Sequence, residues 1–538
     1  MPRQIPYIIG NEGCERFSFY GMRNILTPFL VTSLLMFMPD EVARKAYAKE
    51  VFHTFVIGVY FFPLLGGWIA DKFFGKYNTI FAFSLIYCLG HAFLAIFETD
   101  VDGFFTGLFL IALGAGGIKP LVASFMGDQF DSTNKHLAKV VFDAFYWIIN
   151  FGSFFASMLM PLFLVAFGPS IAFLIPGVLM FLATVVLWLG RKKYVLVPVK
   201  KTHDPHSFLR VVWSAVTSPG TGQGLRVLML VGAVASILGV SFANLEIVPA
   251  ICLVLVIVLF FGGVATGTGL DNIRALHPDE AIAGVRSVLR ILIVFALVTP
   301  FHSLFDQKAT TWVLQGGEMS LPSWTFDPTG RTAFQPAQMQ MFNPLLVMIL
   351  IPFNNLVLYP WLRKLGWNPT PIRRMTFGIL FSAFAWIAAG AIQLALDDGN
   401  KLDIMWQLLP YALLTFGEVL VSATGLEFAY SQAPLAMKGV IMSFWNLTTT
   451  VGNLWVLLVN AGVRDKGVLA TIKETGLSEN AFLMFFFAVF AFLATIAFWL
   501  YTRRYTVLDN YRSTGGPPDP GEQGPKSPLP AATGAREK

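Results

Sequence analysis

The chain has 538 residues, 55% hydrophobic and only 13% charged, with a mean hydropathy of +0.63. A soluble domain needs far more charge to cover its surface, so the composition excludes that class and points to the membrane. The formal net charge of +6 does not indicate nucleic acid, because the basic residues sit in short loops between apolar runs, the pattern that sets membrane topology.

A helix that crosses a bilayer needs about 20 mostly apolar residues. Runs of that kind predict spans near 11–36, 51–71, 78–97, 104–126, 141–166 and 171–190. The first carries Glu12, Glu15, Arg16 and Arg23, which no signal-peptide core would, so it is expected to stay in the mature protein. A polar, Pro-containing stretch then runs from Arg191 to about Gly224. Two spans follow near 226–243 and 247–268, and six more near 285–311, 341–363, 372–395, 405–432, 438–460 and 481–502. The Gly- and Pro-rich tail beyond about Ser513 cannot bury a core and is expected to be disordered. The expected fold is all-α and integral to the membrane, with 14 spans: a six-helix bundle over 1–190, a linker with two additional helices over 191–284, a second six-helix bundle over 285–505, and a cytoplasmic tail over 506–538.

With both termini in the cytoplasm, the inside loops hold Lys72 and Lys76, Lys135 and Lys139, Arg191 to Lys193 with Lys200 and Lys201, Arg363, Lys364, Arg373 and Arg374, and Arg503 and Arg504. The loop 98–102, with Glu98, Asp100 and Asp102, falls outside. Segment 39–50, with Arg44, Lys45 and Lys49, also falls outside and is the exception to the positive-inside pattern. The three cysteines, Cys14, Cys88 and Cys252, lie in separate apolar runs, and the seven histidines show no ligand spacing. Neither metal nor cofactor is expected. No HExxH or GxSxG motif is present, so an enzyme is not expected.

Ionisable side chains at membrane depth are costly unless paired or hydrated. This chain places Glu12, Glu15, Arg16, Arg23, His53, Lys119, Asp306 and Glu427 there. On the first helix Glu12, Glu15, Arg16, Phe19 and Arg23 share an arc of about 100°, with Tyr20 at its edge. Such a stripe could merely pack helices, but a face with both signs suits an interior cavity better. Lys119 precedes Pro120 and follows Gly114, Gly116 and Gly117, residues that allow close helix approach or a bend. Tyr146, Asn150 and Ser153 form a polar stripe on the fifth helix, where Asn150 equally reads as interhelical glue. Glu427 and Ser431 are four apart on one face, as are His302 and Asp306, which could bond to each other. GGIKPLVASF in the fourth helix weakly echoes TGLEFAYSQA in the tenth, setting Lys119 opposite Glu427 across an internal duplication.

These segments resemble the proton-coupled oligopeptide transporters of the major facilitator superfamily. NEGCERFSFYGMR is similar to that family's E-x-x-E-R-F-x-Y-Y-G-M-R signature, with Phe19 where Tyr is usual. GGWIADKFFGKYNT resembles the major facilitator motif between helices two and three. GAGGIKPLVASFMGDQFD, FYWIINFGSFFA, LFDQ, FNPLLVMILIPFNNLVLYP and GEVLVSATGLEFAYSQAP resemble further family segments in order along the chain. The extra helix pair looks prokaryotic, while VFHTF around His53 looks closer to animal members. His302 departs from the tryptophan of animal members, and Lys308 from a commonly neutral position.

The resemblance implies import of di- and tripeptides with protons by alternating access. It places Arg23 and Lys119 at the peptide carboxylate and Glu427 at its ammonium. Tyr20, Tyr60, Asn150, Asn343, Ser431 and a tryptophan of the eleventh helix, Trp445 or Trp455, would line the pocket; Trp455 is taken here. Proton coupling is expected from Glu12, Glu15, Arg16, His53 and Asp306. Gating is expected from Asp306 with Arg23 or His53, from Lys119 with Glu427, and from Asp71, which sits with Lys76 at the cytoplasmic end of the second helix and would pair across the gate with another helix. The setting would be the inner (plasma) membrane, with the bilayer as partner, no nucleic acid, and a functional monomer. A same-fold carrier of nitrate or another small solute is the alternative.

Overall fold

The computed structural model describes residues 2–130, 137–197, 205–242, 247–432, 438–463, 466–503 and 505. The first six spans are α1 (Ile5–Phe29), α2 (Glu41–Ile69), α3 (Gly75–Ile96), α4 (Val101–Gly127), α5 (Ala138–Phe167) and α6 (Pro169–Leu189). A short helix, α7 (Phe208–Thr217), leads to the pair α8 (Gln223–Val240) and α9 (Ile247–Gly269). The second set begins with α10 (Asp279–Asp306), and a short α11 (Thr311–Gly317) follows. The next span joins α12 (Phe342–Phe353) to α13 (Tyr359–Lys364) through a π turn at Asn354–Leu358. After α14 (Pro371–Asp397), a second joined span runs from α15 (Leu408–Glu418) through a π turn at Val419–Ala423 into α16 (Thr424–Gln432). The chain closes with α17 (Lys438–Val463), α18 (Lys466–Glu474) and α19 (Glu479–Thr502). Each of the 14 expected spans has its helix or joined pair.

Local chemistry sets the helix ends. Asp100 accepts from the Gly103 amide at 2.8 Å to start α4, and Ser478 accepts from the Ala481 amide at 3.1 Å to start α19, as N-caps do. Gly75 takes φ 73° at the corner between α2 and α3, a conformation that costs other residues. One expectation needs correction. Segment 39–50 is not a loop, since α2 already starts at Glu41. Asp40 caps it through the Val42 amide at 3.0 Å, and Lys45 pairs with Glu41 one turn back at 2.9 Å. Charge hid this helix from a hydropathy reading, although caps and i,i+4 pairs favour helix at charged positions.

The packing repeats itself in the two halves. α1 packs on α5 and α6, as α10 packs on α17 and α19. α3 packs on α4 and α6, as α14 packs on α15 and α19. α2 packs on α4, as α12 packs on α15. Between the halves α2 meets α17 and α5 meets α12, two contacts that exchange under a two-fold relation, as an internal duplication requires. The α8–α9 hairpin lies outside both bundles. Its α9 touches α2 and α17 through a cluster of Ile57, Cys252, Leu454 and Leu457.

Small residues decide how deep the site sits. A Cβ on Gly66 of α2 would strike the Gly116 backbone of α4, and one on Gly116 would strike Phe62. The two helices therefore touch backbone to backbone, which carries Lys119, one turn further on, in beside α2.

Candidate functional site

The charged stripe of α1 faces inward, with Glu12, Glu15, Arg16 and Arg23 all buried. Arg16 is ion-paired to Glu12 at 2.9 Å and to Glu15. Both pairs lie within one helix. The Glu15 carboxylate is completely buried and lacks a hydrogen bond of good geometry, so its one ion pair, with Arg16, carries most of the compensation of its charge. Lys119 projects toward the same face, its Nζ 3.6 Å from the Phe19 ring centroid and 4.4 Å from that of Tyr60. No carboxylate of the described residues lies within ion-pair distance of Lys119. It is held by aromatic faces and is within electrostatic reach of Arg16, Glu15, Arg23 and Asp306.

Arg23 reaches across to the second half. It donates to Asp306 Oδ1 at 2.5 Å, and its guanidinium lies over Phe52 at 5.3 Å. Asn453 of α17 donates to the other Asp306 oxygen at 2.7 Å and bonds His53 Nδ1 through its own Oδ1 at 2.6 Å. His53 Nε2 meets the Thr310 hydroxyl at 3.3 Å. Asp306 is thus joined to Arg23 directly and to His53 through Asn453. His302 does not bond Asp306; its Nδ1 meets Thr449 Oγ1 at 3.4 Å. Further bonds tie the halves toward the same end: Gln338 to the Met158 carbonyl at 2.7 Å, Gln340 to that of Asn24 at 3.5 Å, and Lys45 to Glu318 at 3.4 Å. This end of the molecule is closed.

The second half carries a carboxylate, Glu418, that sequence reasoning passes over, beside Lys308 and Asn343, which it names. Lys308, buried, donates to Asn343 Oδ1 at 2.8 Å. Asn343 in turn donates to Glu418 Oε2 at 2.5 Å and to Thr415 Oγ1 at 3.0 Å. Glu418 feels Lys308, Asp306 and Arg23, and Tyr146 of α5 lies within reach of both Glu418 and Tyr20. Glu418 is an isolated carboxylate inside an apolar run, and the rule that picks out Glu12 finds it too. Tyr20, Tyr60, Lys119, Asn343 and Glu418 all keep partial exposure in mid-helix, so a crevice between the halves reaches them.

Other expected site residues fall as follows. Asn150 donates to the Tyr146 carbonyl at 3.0 Å, along the polar stripe of α5. Trp455 bonds Thr299 at 3.3 Å and packs on Phe490 of α19, with 40% of its surface exposed, on the periphery and away from the charges. Trp445 is the buried one, against His302 and above Gly425. Lys76 pairs with Asp128 at 2.7 Å, within the first half, not with Asp71, which is exposed. The side chains of Glu427 and Ser431 lie outside the described residues, as do those of Lys135 and Lys139 and the tail from 506.

A family model described as PTR2, POT family, matches residues 77–469. A crystal structure of an auto-inhibited POT family peptide transporter is 64% identical, with a TM-score of 0.89 over 95% of this chain and 99% of that one. The POT family transporter PepTSo is 61% identical, with a TM-score of 0.88 over 94% of this chain and 98% of that one. Solute carrier family 15 member 2 of Mus musculus is 31% identical over 466 residues, 83% of this chain and 56% of the relative. The chain spans about half the length of the curated relatives it matches.

Proposed function

The chain belongs to the POT family, and from that membership and the charges between its halves we propose a proton-coupled symporter that carries di- and tripeptides by alternating access. It is a carrier, not an enzyme. The observation that bears the most weight is the layout of opposite charge across the crevice. Lys119 stands on the first half without a carboxylate partner among the described residues, and Glu418 is held by Asn343 on the second. A peptide is a zwitterion, and a carrier that accepts many sequences must grip its termini and backbone. Lys119, joined by Arg23 when Asp306 lets go, takes the carboxylate. Glu418 takes the ammonium, the role that sequence reasoning assigns to Glu427. Charge-assisted bonds of this kind contribute about 1.5–3 kcal/mol each. A nitrate carrier needs the cations but has no use for Glu418.

Glu12 and Glu15 take the coupling protons. Ionised, they hold Arg16 and draw on Lys119; protonated, they release a cation toward the substrate. Arg23 with Asp306, backed by Asn453 and His53, closes the outer mouth, and its rupture opens it. Both termini lie in the cytoplasm, the protein sits in the plasma (inner) membrane, and it works as a monomer.

The test is uptake of labelled dialanine into liposomes that contain only this protein, with and without an inward proton gradient. Gradient-dependent accumulation, competed by varied di- and tripeptides but not by free alanine, is expected. No peptide uptake by folded protein would overturn the reading and move the search to nitrate and other small solutes.

A further inference from the structure

A second cavity, of about 270 Å³, lies at the closed end between the two halves. The first half contributes Val42, Lys45, Ala46 and Lys49 of α2, and the second half supplies the rest of the wall. None of these side chains belongs to the crevice described above. The charges of the cavity are balanced but not all paired. Lys45 is consumed by Glu41 at 2.9 Å and Glu318 at 3.4 Å. Gln315 and Gln393 are bonded to each other at 3.0 Å, and Gln393 also donates to Asp397 at 3.0 Å.

Two charges of opposite sign are left over. Lys49 of α2 makes no hydrogen bond or ion pair among the described residues and faces Glu479 and Glu318. Glu479, in the first turn of α19, likewise has no ion-pair partner there. Both line the cavity without closing on each other. Beside them stand the amide of Asn460 and an apolar wall of Val42, Ala46, Leu314, Leu483 and Met484.

We propose that this cavity is a second binding site, for a small zwitterion with an apolar side chain, that is, a free α-amino acid of the leucine type. Its carboxylate meets Lys49, its ammonium meets Glu479, and its side chain lies on the apolar wall. The volume is below the roughly 300–1,000 Å³ of sites for drug-sized ligands, which suits one amino acid. The walls come from both halves, so the site is complete only when this end is closed. A ligand bound here favours the closed state by its differential affinity for it. Leucine then acts as a noncompetitive brake on any cycle that must open this end.

The test is equilibrium binding of labelled leucine to the purified full chain, which stands whether or not the chain carries peptides. Saturable binding is expected, with affinity lowered about 10-fold or more by Lys49→Gln and by Glu479→Gln. N-acetyl-leucine and leucinamide, each lacking one charge, should compete poorly. Ala46→Phe, which fills the cavity and keeps both charges, should also abolish binding, while Lys119→Gln in the crevice should leave it unchanged. Absence of saturable binding at millimolar leucine would overturn the proposal. So would binding that Lys119→Gln removes and Lys49→Gln spares, which would place the leucine in the crevice.

Discussion

Two ionic clusters on α1 differ in reach. Glu12, Glu15 and Arg16 satisfy one another within a single helix. About two turns further on, Arg23 finds its partner 283 residues away, in the other half. The first cluster can gain or lose a proton while every helix stays in place. The second spans the two halves, so they cannot part at this end without breaking it. In the proposed function this one helix carries the chemical input and the mechanical lock side by side, and coupling makes one depend on the other.

The comparison breaks most readily at the lock. Arg23→Gln leaves the Asp306 charge buried with only Asn453, and removing one partner of a buried pair costs about 3–5 kcal/mol. Uptake should be lost and the closed end should loosen. A cysteine at Leu314, in a background free of other cysteines, should then react faster with an impermeant thiol reagent; unchanged reactivity would show that the pair does not hold that end. At the input, Glu12→Gln or Glu15→Gln should abolish proton-driven uptake and spare counterflow, because nothing between the halves is touched. Driven uptake that survived both changes would remove these residues from coupling.

Smaller effects sharpen the contrast. Glu418→Gln should weaken dipeptides with a free amino group about 10- to 100-fold more than N-acetylated ones, the worth of one charge-assisted bond. Equal losses for both would take Glu418 out of ammonium binding. Asn453→Ala disconnects His53 from Asp306 but leaves Arg23 in place, so turnover should fall only about 5- to 30-fold, the equivalent of about 1–2 kcal/mol. A loss as large as that of Arg23→Gln would make Asn453 an equal part of the lock. Trp455→Phe should change uptake within about 0.5 kcal/mol, whereas Trp445→Ala should alter peptide selectivity.

Much of the fold is legible in the sequence because it is local. Helix positions follow from runs of apolar residues, and the α1 stripe follows from helical periodicity, so the spacing of Glu12 and Arg16 is enough to pair them. Segment 39–50 misleads for a local reason as well, since hydropathy counts its charges against it and ignores the Asp40 cap. Lys119 is legible as a cation at depth, and Glu418 is legible by the same rule.

What the sequence alone determined, then, is which residues are helical, which of them bury charge, and how neighbours on one helix face one another. Only the tertiary structure decided which charge meets which across helices. It joined Arg23 to Asp306, routed His53 through Asn453, kept His302 from Asp306, matched Lys76 to Asp128 and buried Trp445 rather than Trp455, against His302. The reason is physical. Helical geometry places residues three and four apart without help, whereas partners on different helices are chosen by how closely backbones approach, and here contacts such as Gly66 on Gly116 set that approach.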